Sequence, residues 1–145
     1  MKQLLSGVLI FLIYTQWAQS AELTIVVEGL RSTRGALHIA LFDSGKGFPM
    51  EAASAVARQS LILATRPTDQ PIRVVFKNLP EKKYAVCILH DEDSDGKLKT
   101  NFIGIPKEGV GVSNNAKGLL GPPKFEAAVF TLTGPLTISV TVSYF

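Results

Sequence analysis

The sequence predicts an all-β protein, an antiparallel sandwich of two sheets built from about seven strands. The clearest observation is the C-terminal stretch of residues 136–145, where apolar and polar side chains alternate as in a half-buried strand. Other stretches rich in β-branched residues are separated by short links that contain glycine or proline. Only one stretch has helical character, so at most one short helix is expected.

The strands can be placed in order along the chain. A long polar stretch after the fifth strand, residues 90–115, predicts an ordered loop. The short link of residues 29–35 between the first two strands predicts a β-hairpin. Several alanines in residues 50–58 predict about two turns of helix. The predicted strands are residues 23–28, 35–42, 59–65, 72–77, 84–90, 127–133 and 136–145.

The N-terminal residues have the pattern of a secretory signal peptide. Lys2 supplies a positive charge, residues 4–14 form an apolar run too short to span a bilayer comfortably, and small residues precede the expected cleavage site. We therefore predict a signal peptide over residues 1–20 and a single β-sandwich domain over residues 21–145, located in the periplasm or secreted. An uncleaved membrane anchor is the alternative interpretation.

The charge balance narrows the classes of partner. Removal of the signal peptide takes away Lys2 and no acidic residue, which leaves 14 basic residues against 12 acidic ones, a net charge of +2. The basic residues are scattered along the chain, which argues against a nucleic-acid partner. No membrane span is expected in the mature chain, and a monomer is expected.

The chain contains a single cysteine, Cys87, so no intramolecular disulfide is possible, although an exported protein could keep one. One cysteine and two histidines do not make a zinc-binding pattern. Because Cys87 lies within the apolar run of residues 84–89, we predict a buried, unreactive side chain rather than a reactive thiol.

A cluster of acidic residues follows the fifth predicted strand. Asp91, Asp93 and Asp95 alternate and are followed by Gly96, which matches the first half of an EF-hand calcium loop. Alternating carboxylates can surround one cation, the glycine allows a sharp turn, and Lys97 would offer its backbone carbonyl. We therefore predict a calcium site. The alternative is a solvated acidic turn in which aspartate and glycine serve turn geometry alone.

The second half of this loop departs from the EF-hand pattern. The twelfth position should hold a bidentate glutamate and holds Phe102 instead. Other oxygen donors would have to complete the coordination shell. We predict Asn101 and Glu108 in this role, with Glu126 and Asp43 as more distant candidates.

His90 directly precedes the acidic cluster, and a histidine beside carboxylates can act in acid–base catalysis. No serine or cysteine nucleophile is placed by a recognisable motif, so we predict a structural histidine and no catalytic residue. The favoured function is a binding or scaffolding module for an envelope or extracellular protein or glycan, with its loop held by calcium. The alternative is an envelope hydrolase that uses His90 and nearby carboxylates.

One long motif is the most specific feature of the sequence. It consists of His90-Asp91-Glu92, Asp95-Gly96-Lys97-Leu98, Asn101-Phe102-Ile103-Gly104-Ile105-Pro106-Lys107-Glu108-Gly109, Ser113-Asn114-Asn115 and the later Gly121-Pro122-Pro123. In this motif the chain resembles the bacterial domain-of-unknown-function family 2141, over nearly the whole of the predicted mature chain. The resemblance implies an exported protein and assigns it no biochemical role.

A more distant likeness concerns the turn before the fifth strand. Leu79-Pro80 ahead of Tyr84 is similar to a turn in transthyretin-like and collagen-adhesin B-type sandwiches, which implies a Greek-key or transthyretin-like strand order. Those sandwiches often have glycine just before the tyrosine, where Lys83 stands here. Transthyretin-like hydroxyisourate hydrolases end in Tyr-Arg-Gly-Ser and this sequence ends in Tyr144-Phe145, so their activity is not transferred.

Overall fold

The computed structural model describes residues 19–64, 66–67 and 69–145. Most of the predicted signal peptide, residues 1–18, lies outside the described residues. The described part of the chain forms eight strands, one helical turn and two short 3-10 turns. These are β1 Ser20–Glu28, β2 Ala36–Phe42, β3 Ala57–Ile62, β4 Ile72–Pro80, β5 Lys83–Asp91, β6 Gly109–Val112, β7 Phe130–Thr131, β8 Leu136–Thr141, α1 Phe125–Ala128 and the 3-10 turns Ala52–Ser54 and Ser113–Asn115.

The strands form two sheets of three and five strands. In the first sheet, β1 lies between β4, which runs antiparallel to it, and β8, which runs parallel to it. The second sheet has the order β3-β2-β5-β6, with every pair antiparallel, and β7 pairs with the start of β5. The predicted all-β, two-sheet sandwich with one short helix is confirmed.

One hydrophobic core fills the space between the two sheets. Successive side chains of a strand point to opposite faces, so every second residue enters the core. In β2, Leu37, Ile39 and Leu41 are buried and His38 points to the outer face, as predicted. In β5, Val86 and Ile88 belong to the same core. The same alternation places His90 on the core side of β5 and Asp91 on its outer side.

A second, smaller cluster lies on the outer face of the five-stranded sheet. Ala85, Val112 and Ala128 form its buried part, and the rings of Phe48 and Phe125 pack against them. Phe48 also meets the buried Phe42 edge to face, with ring centroids 5.2 Å apart. The cluster attaches α1 and the loop after β2 to the sheet.

The sandwich has two ends that carry different loops. The Asp91 end, where β5 finishes, carries the link between β1 and β2 and the long loop between β5 and β6, since Ala36 pairs with Asp91. The Lys83 end, where β5 begins, carries the start of β1 and the loop after β2, since Ser20 pairs with Pro80 and Phe42 with Ala85.

The C-terminal residues tie the two sheets together. Val140 and Val142 are buried, Ile138 is partly buried against the core, and the intervening polar side chains are exposed, which confirms the predicted alternation. Regular strand ends at Thr141, after which Val110 and Ser143 exchange two backbone hydrogen bonds of 3.0 and 2.8 Å. The chain thus passes from the edge of one sheet to the edge of the other.

The predicted hairpin between the first two strands is wrong. β1 pairs with β4 and β8, whereas β2 pairs with β3 and β5, so the link of residues 29–35 carries the chain from one sheet to the other. Both strands are apolar on the face that enters the core. A crossover places these two faces opposite each other, which a hairpin within one sheet would not do.

Three local predictions also require correction. The predicted helix at residues 50–58 is wrong. This range contains the 3-10 turn Ala52–Ser54 and the start of β3, because pairing of β3 with β2 from Ala57 onward overrides the helix propensity of alanine. The predicted strand at residues 127–133 is divided into α1 and the two-residue β7. β6 was not predicted because Gly109 and Gly111 resemble loop residues. A Cβ at Gly109 would lie 2.5 Å from the Tyr144 ring, so glycine is needed for this close strand packing.

Among the described residues, no helix is both long and apolar enough to span a bilayer.

Burial in β8 gives a direct test of the core. Val140→Asp should lower the free energy of unfolding by about 3–5 kcal/mol, because Val140 is fully buried and the new carboxylate would have no partner. Ser139→Asp adds the same charge at the neighbouring exposed position and should change stability by less than about 1 kcal/mol. Urea unfolding of both variants measures the difference, and equal losses would contradict the assigned phase of the strand.

Candidate functional site

The candidate site is the long loop between β5 and β6, residues 92–108, at the Asp91 end of the sandwich. It follows the inward-facing His90 and the outward-facing Asp91, so two neighbouring residues enter different environments. The two predicted groups, the acidic cluster and the histidine, therefore lie on opposite faces of one sheet. They do not form a joint acid–base pair.

Asp91 organises the first turn of the loop. Its buried carboxylate accepts hydrogen bonds from the backbone N–H groups of Gly96 (2.7 Å) and Asp95 (3.2 Å), and His38 Nε2 lies 3.1 Å from Oδ2. Burial acts to raise the pKa of Asp91, but these hydrogen bonds outweigh it and hold the pKa below its ordinary value. The carboxylate is thus already a backbone acceptor that closes the turn.

Asp93 and Asp95 are exposed, and both face the ammonium group of Lys99. Lys99 Nζ forms a salt bridge with Asp93 and lies 3.5 Å from Oδ2 of Asp95. Three oxygens, one each from Asp91, Asp93 and Asp95, lie within 4.8 Å of one another, which is close enough to contact one metal ion. The predicted carboxylate cluster is therefore assembled, with a lysine as its nearest positive charge.

The other predicted ligands lie in different parts of the loop. The Lys97 N–H donates to Asp95 Oδ1 at 2.8 Å, so Lys97 adjoins the cluster. Asn101 Oδ1 accepts from Ile103 N–H and Ile105 N–H at 3.0 and 2.9 Å, which uses both of its lone pairs within the loop tip.

Glu108 has a bracing role that its position in the sequence did not reveal. Its side chain is buried, and its two oxygens accept from Glu92 N–H at 3.2 Å and from Lys99 N–H at 3.1 Å. One carboxylate therefore joins the outgoing and returning arms of the loop. Because both arms are held by the same group, the segment between them is closed at its base.

The tip of the loop is a small hairpin that presents apolar side chains. Thr100 bridges Pro106, Lys107 N–H donates to the Lys99 carbonyl at 2.8 Å, and Asn101 N–H donates to the Ile105 carbonyl at 2.8 Å. At the turn, Phe102 is 98% exposed. The Phe102 ring is therefore exposed to solvent on a turn whose backbone is fixed by hydrogen bonds.

Glu92 forms an ion-pair network that sequence reasoning missed. It accepts hydrogen bonds from two nitrogens of the Arg31 guanidinium and from the Ser32 hydroxyl at 2.8 Å, and Arg34 lies 3.6 Å away. Hydrogen bonding by Arg31 lowers the pKa of Glu92 to about 2, against the opposing effect of burial. The network joins the loop to the link between β1 and β2.

Tyr144 extends this network to His90. The Arg31 guanidinium lies 4.3 Å from the centre of the Tyr144 ring, and Arg31 N–H donates to the Tyr144 hydroxyl at 3.2 Å. His90 Nδ1 is 2.6 Å from this hydroxyl, and Nε2 is 2.9 Å from the Arg34 carbonyl. Because a carbonyl only accepts, Nε2 donates to it. In the neutral imidazole, Nδ1 then accepts from the Tyr144 hydroxyl.

The His90 side chain is fully buried, and both of its ring nitrogens are hydrogen-bonded within the protein. Burial raises the pKa of Tyr144, which keeps its hydroxyl protonated as a donor. The sequence signals for this network were weak. Arg31 looked like a residue of a polar link, Tyr144 like one more apolar position in the last strand, and Glu92 like one more acid in a cluster.

Cys87 lies on the outer face of β5 and is half-buried rather than buried as predicted, because this face is only partly covered. Its partial burial raises the pKa of the thiol to about 12. At neutral pH almost no thiolate is present, so the group is a poor nucleophile.

The Glu92 network predicts a pH-dependent contribution to stability. Glu92→Gln should lower the free energy of unfolding at pH 7 by about 1–2 kcal/mol, because it removes an ion pair whose arginine is half exposed to solvent. Since the folded-state pKa of Glu92 is about 2 and the ordinary value is 4.5, this contribution is complete above pH 4.5 and is lost as the pH falls towards 2.

The measurement is urea unfolding of wild type and Glu92→Gln at pH 7, 5 and 3. Glu126→Gln, at an exposed position, is the matched control and should have little effect at any pH. A stability difference for Glu92→Gln that does not shrink at acidic pH would contradict the ion-pair assignment.

Comparison with known proteins places these features in a family. No curated protein and no solved structure matches the chain. Residues 25–139 match the domain-of-unknown-function family 2141, described as an uncharacterized protein conserved in bacteria. The matched range runs from β1 to β8 and includes the whole candidate site. The chain therefore belongs to this bacterial family of uncharacterized proteins.

Proposed function

We propose that this protein is a small exported binding or scaffolding module whose β5–β6 loop contacts an envelope or extracellular partner, a protein or a glycan. The observation that carries the proposal is the Phe102 ring, which is almost fully exposed on a hydrogen-bonded hairpin. Ile103 and Ile105 are exposed beside it, at 65% and 40%. Aromatic side chains on preorganised supports are well suited to be binding anchors.

The construction of the loop supports this role. The Asn101 side chain fixes the turn, Glu108 closes the base, and Glu92 fixes the loop to Arg31. A partner that covers Phe102 would therefore immobilise few additional backbone residues. When little conformational entropy is lost on binding, even a small contact surface can give useful affinity.

Export is the second part of the proposal. Its support is the signal-peptide pattern of residues 1–20, with cleavage after Ser20 or Ala21. The partner would then be met in the periplasm or outside the cell.

Calcium is the third part of the proposal. Asp91 Oδ1 accepts one hydrogen bond only and keeps a lone pair for an ion, and the exposed Asp93 and Asp95 carboxylates can approach from the solvent side. The Lys97 carbonyl, Glu108 and water are further donors, whereas Asn101 would have to give up a hydrogen bond. The Lys99 ammonium competes with the ion and would have to turn away from Asp93.

The hydrolase hypothesis receives less support. To act as a general base, His90 would need a free ring nitrogen that can reach the substrate, and both of its nitrogens are bonded inside the protein. Asp91, its neighbour, points to the other face of the sheet.

Photo-crosslinking tests the binding role. A photoreactive phenylalanine analogue at position 102, in protein expressed in an exporting bacterial host, should give a defined crosslinked species. The same analogue at Ile62, 70% exposed on β3, is the control and should not. Protease sensitivity of the attached partner separates a protein from a glycan. N-terminal sequencing of the recovered chain should begin at Ala21 or Glu22. Equal crosslinking from positions 102 and 62 would contradict the proposal.

Calcium binding should be detectable by titration calorimetry and as an increase in the stability of the fold. Metal-stripped protein titrated with calcium should give a binding isotherm with a dissociation constant of about 10⁻⁵ to 10⁻⁴ M. Calcium at ten to a hundred times that value should stabilise the fold by about 1.4–2.7 kcal/mol. Asp93→Asn and Asp95→Asn should abolish the effect, and magnesium should do less because it requires octahedral geometry.

Lys99→Ala distinguishes the ion from the internal lysine. If calcium and the ammonium compete for Asp93, removal of the lysine should raise calcium affinity several-fold. Glu126→Gln should leave the titration unchanged, because the structure places Glu126 beside the loop after β2 at the Lys83 end and not at the Asp91 end. No heat on titration and identical melting curves with and without calcium would mean that Lys99 alone balances the carboxylates.

A further inference from the structure

Leu119 and Leu120 form the most exposed apolar feature of the described chain. Their relative exposures are 101% and 104%, so neither side chain is covered by the fold. They occupy the tip of the loop of residues 116–124, between Gly118 and Gly121. A Cβ at Gly118 would lie 1.8 Å from the Gly121 carbonyl oxygen, so a tight glycine turn pushes both leucines outward.

The base of this loop is firmly attached. The Ser113 hydroxyl donates to the Ala128 carbonyl at 2.6 Å, and the Asn114 side chain donates to the Val129 carbonyl at 2.9 Å. On the other side, Phe125 packs edge to face against Phe48, with ring centroids 5.7 Å apart. The two leucines are thus presented by an anchored turn.

The charged residues within this loop are both basic, and the first acid after it is Glu126. Lys117 and Lys124 flank the tip and are exposed, and no acidic residue occurs in residues 116–124. The ion pairs found within the described residues involve neither lysine. Exposed leucines bordered by lysines match the interface of a bilayer that carries anionic headgroups.

The position of the loop in the fold agrees with a membrane contact. Gly45, Phe48 and Pro49 of the loop after β2 share a surface cavity of about 250 Å³ with Pro122 and Phe125, so the leucine loop lies near the Lys83 end. β1 also starts at this end, where Ser20 pairs with Pro80. The leucine loop is therefore at the opposite end of the sandwich from the β5–β6 loop, so a bilayer at the leucines would leave the candidate site uncovered.

We infer that the turn of residues 117–124 is a membrane-docking tip that inserts Leu119 and Leu120 into the interface of an anionic lipid bilayer, with Lys117 and Lys124 beside lipid phosphates. A stable protein interface buries about 800 Å² on each partner, around an apolar centre. This tip offers two apolar side chains between glycines and prolines. Two side chains offer little apolar area for a protein interface, but that area is sufficient for reversible insertion into lipid.

Vesicle binding tests the inference with the protein purified from the exporting host. It should cosediment with vesicles of phosphatidylglycerol and phosphatidylcholine more than with phosphatidylcholine alone. Leu119→Ser/Leu120→Ser should lower the partition coefficient by about tenfold or more. Lys117→Gln/Lys124→Gln should lower it by a similar factor and weaken its dependence on salt. All four positions are exposed, so thermal unfolding of these variants should match wild type.

Phe102→Ser/Ile103→Ser makes the same kind of change at the opposite end and should leave vesicle binding unchanged. As a second measurement, Leu119→Cys labelled with a polarity-sensitive dye should show a blue shift on anionic vesicles. The labelled variant also carries Cys87→Ala, so that the dye has a single thiol to react with. The inference is overturned if the double leucine variant binds vesicles as wild type does. It is also overturned if the leucine changes alter self-association and wild type does not bind vesicles.

Discussion

The carboxylate of Glu92 holds together the end of the sandwich on which the candidate site depends. A buried charge is tolerated only when its hydrogen-bonding capacity is met, and Arg31 and Ser32 meet it from the link between the two sheets. Arg31 in turn lies over Tyr144, and Tyr144 donates to His90. The link, the loop and the C-terminal segment are therefore fixed by one connected set of polar contacts rather than by the hydrophobic core alone.

The acids near the end of β5 have different tasks. Asp91 and Glu108 are acceptors for backbone N–H groups, and they shape the loop. Glu92 forms an ion pair with Arg31. Asp93 and Asp95 remain at the surface with Lys99. Asp95 also accepts a hydrogen bond from Lys97 N–H, so it helps to shape the loop as well as facing the lysine.

The sequence was informative where one periodic pattern decides the structure. Alternation in β2 and β8 identified which side chains are buried, because a strand exposes alternate residues to opposite faces. The same rule, applied to His90 and Asp91, already separates the histidine from the acidic cluster. The partner of each strand was not readable in this way. A short link is compatible with a hairpin or with a crossover. Here the link is a crossover because β1 pairs with β4 and β8, which come from distant parts of the sequence.

The site was less predictable because its decisive contacts are long-range and polar. Nothing local to Arg31 indicates that it meets Tyr144, which is 113 residues away. Gly109 looked like a loop residue, yet the absence of a Cβ allows β6 to lie against Tyr144 and Val142. Asp91, Asp93 and Asp95 were grouped by spacing, but the strand ends at Asp91, so the three carboxylates do not follow one repeating geometry.

The parallel pairing of β1 with β8 has a consequence for the order of folding. β1 is the central strand of its sheet, and Leu23 pairs with Leu136, so the sheet is complete only when the last residues of the chain are available. Contacts of such high sequence separation form slowly, because a long loop must close before any contact compensates for the lost entropy. During synthesis β1 therefore lacks one of its two neighbours until β8 has emerged from the ribosome, and the first sheet cannot close before then.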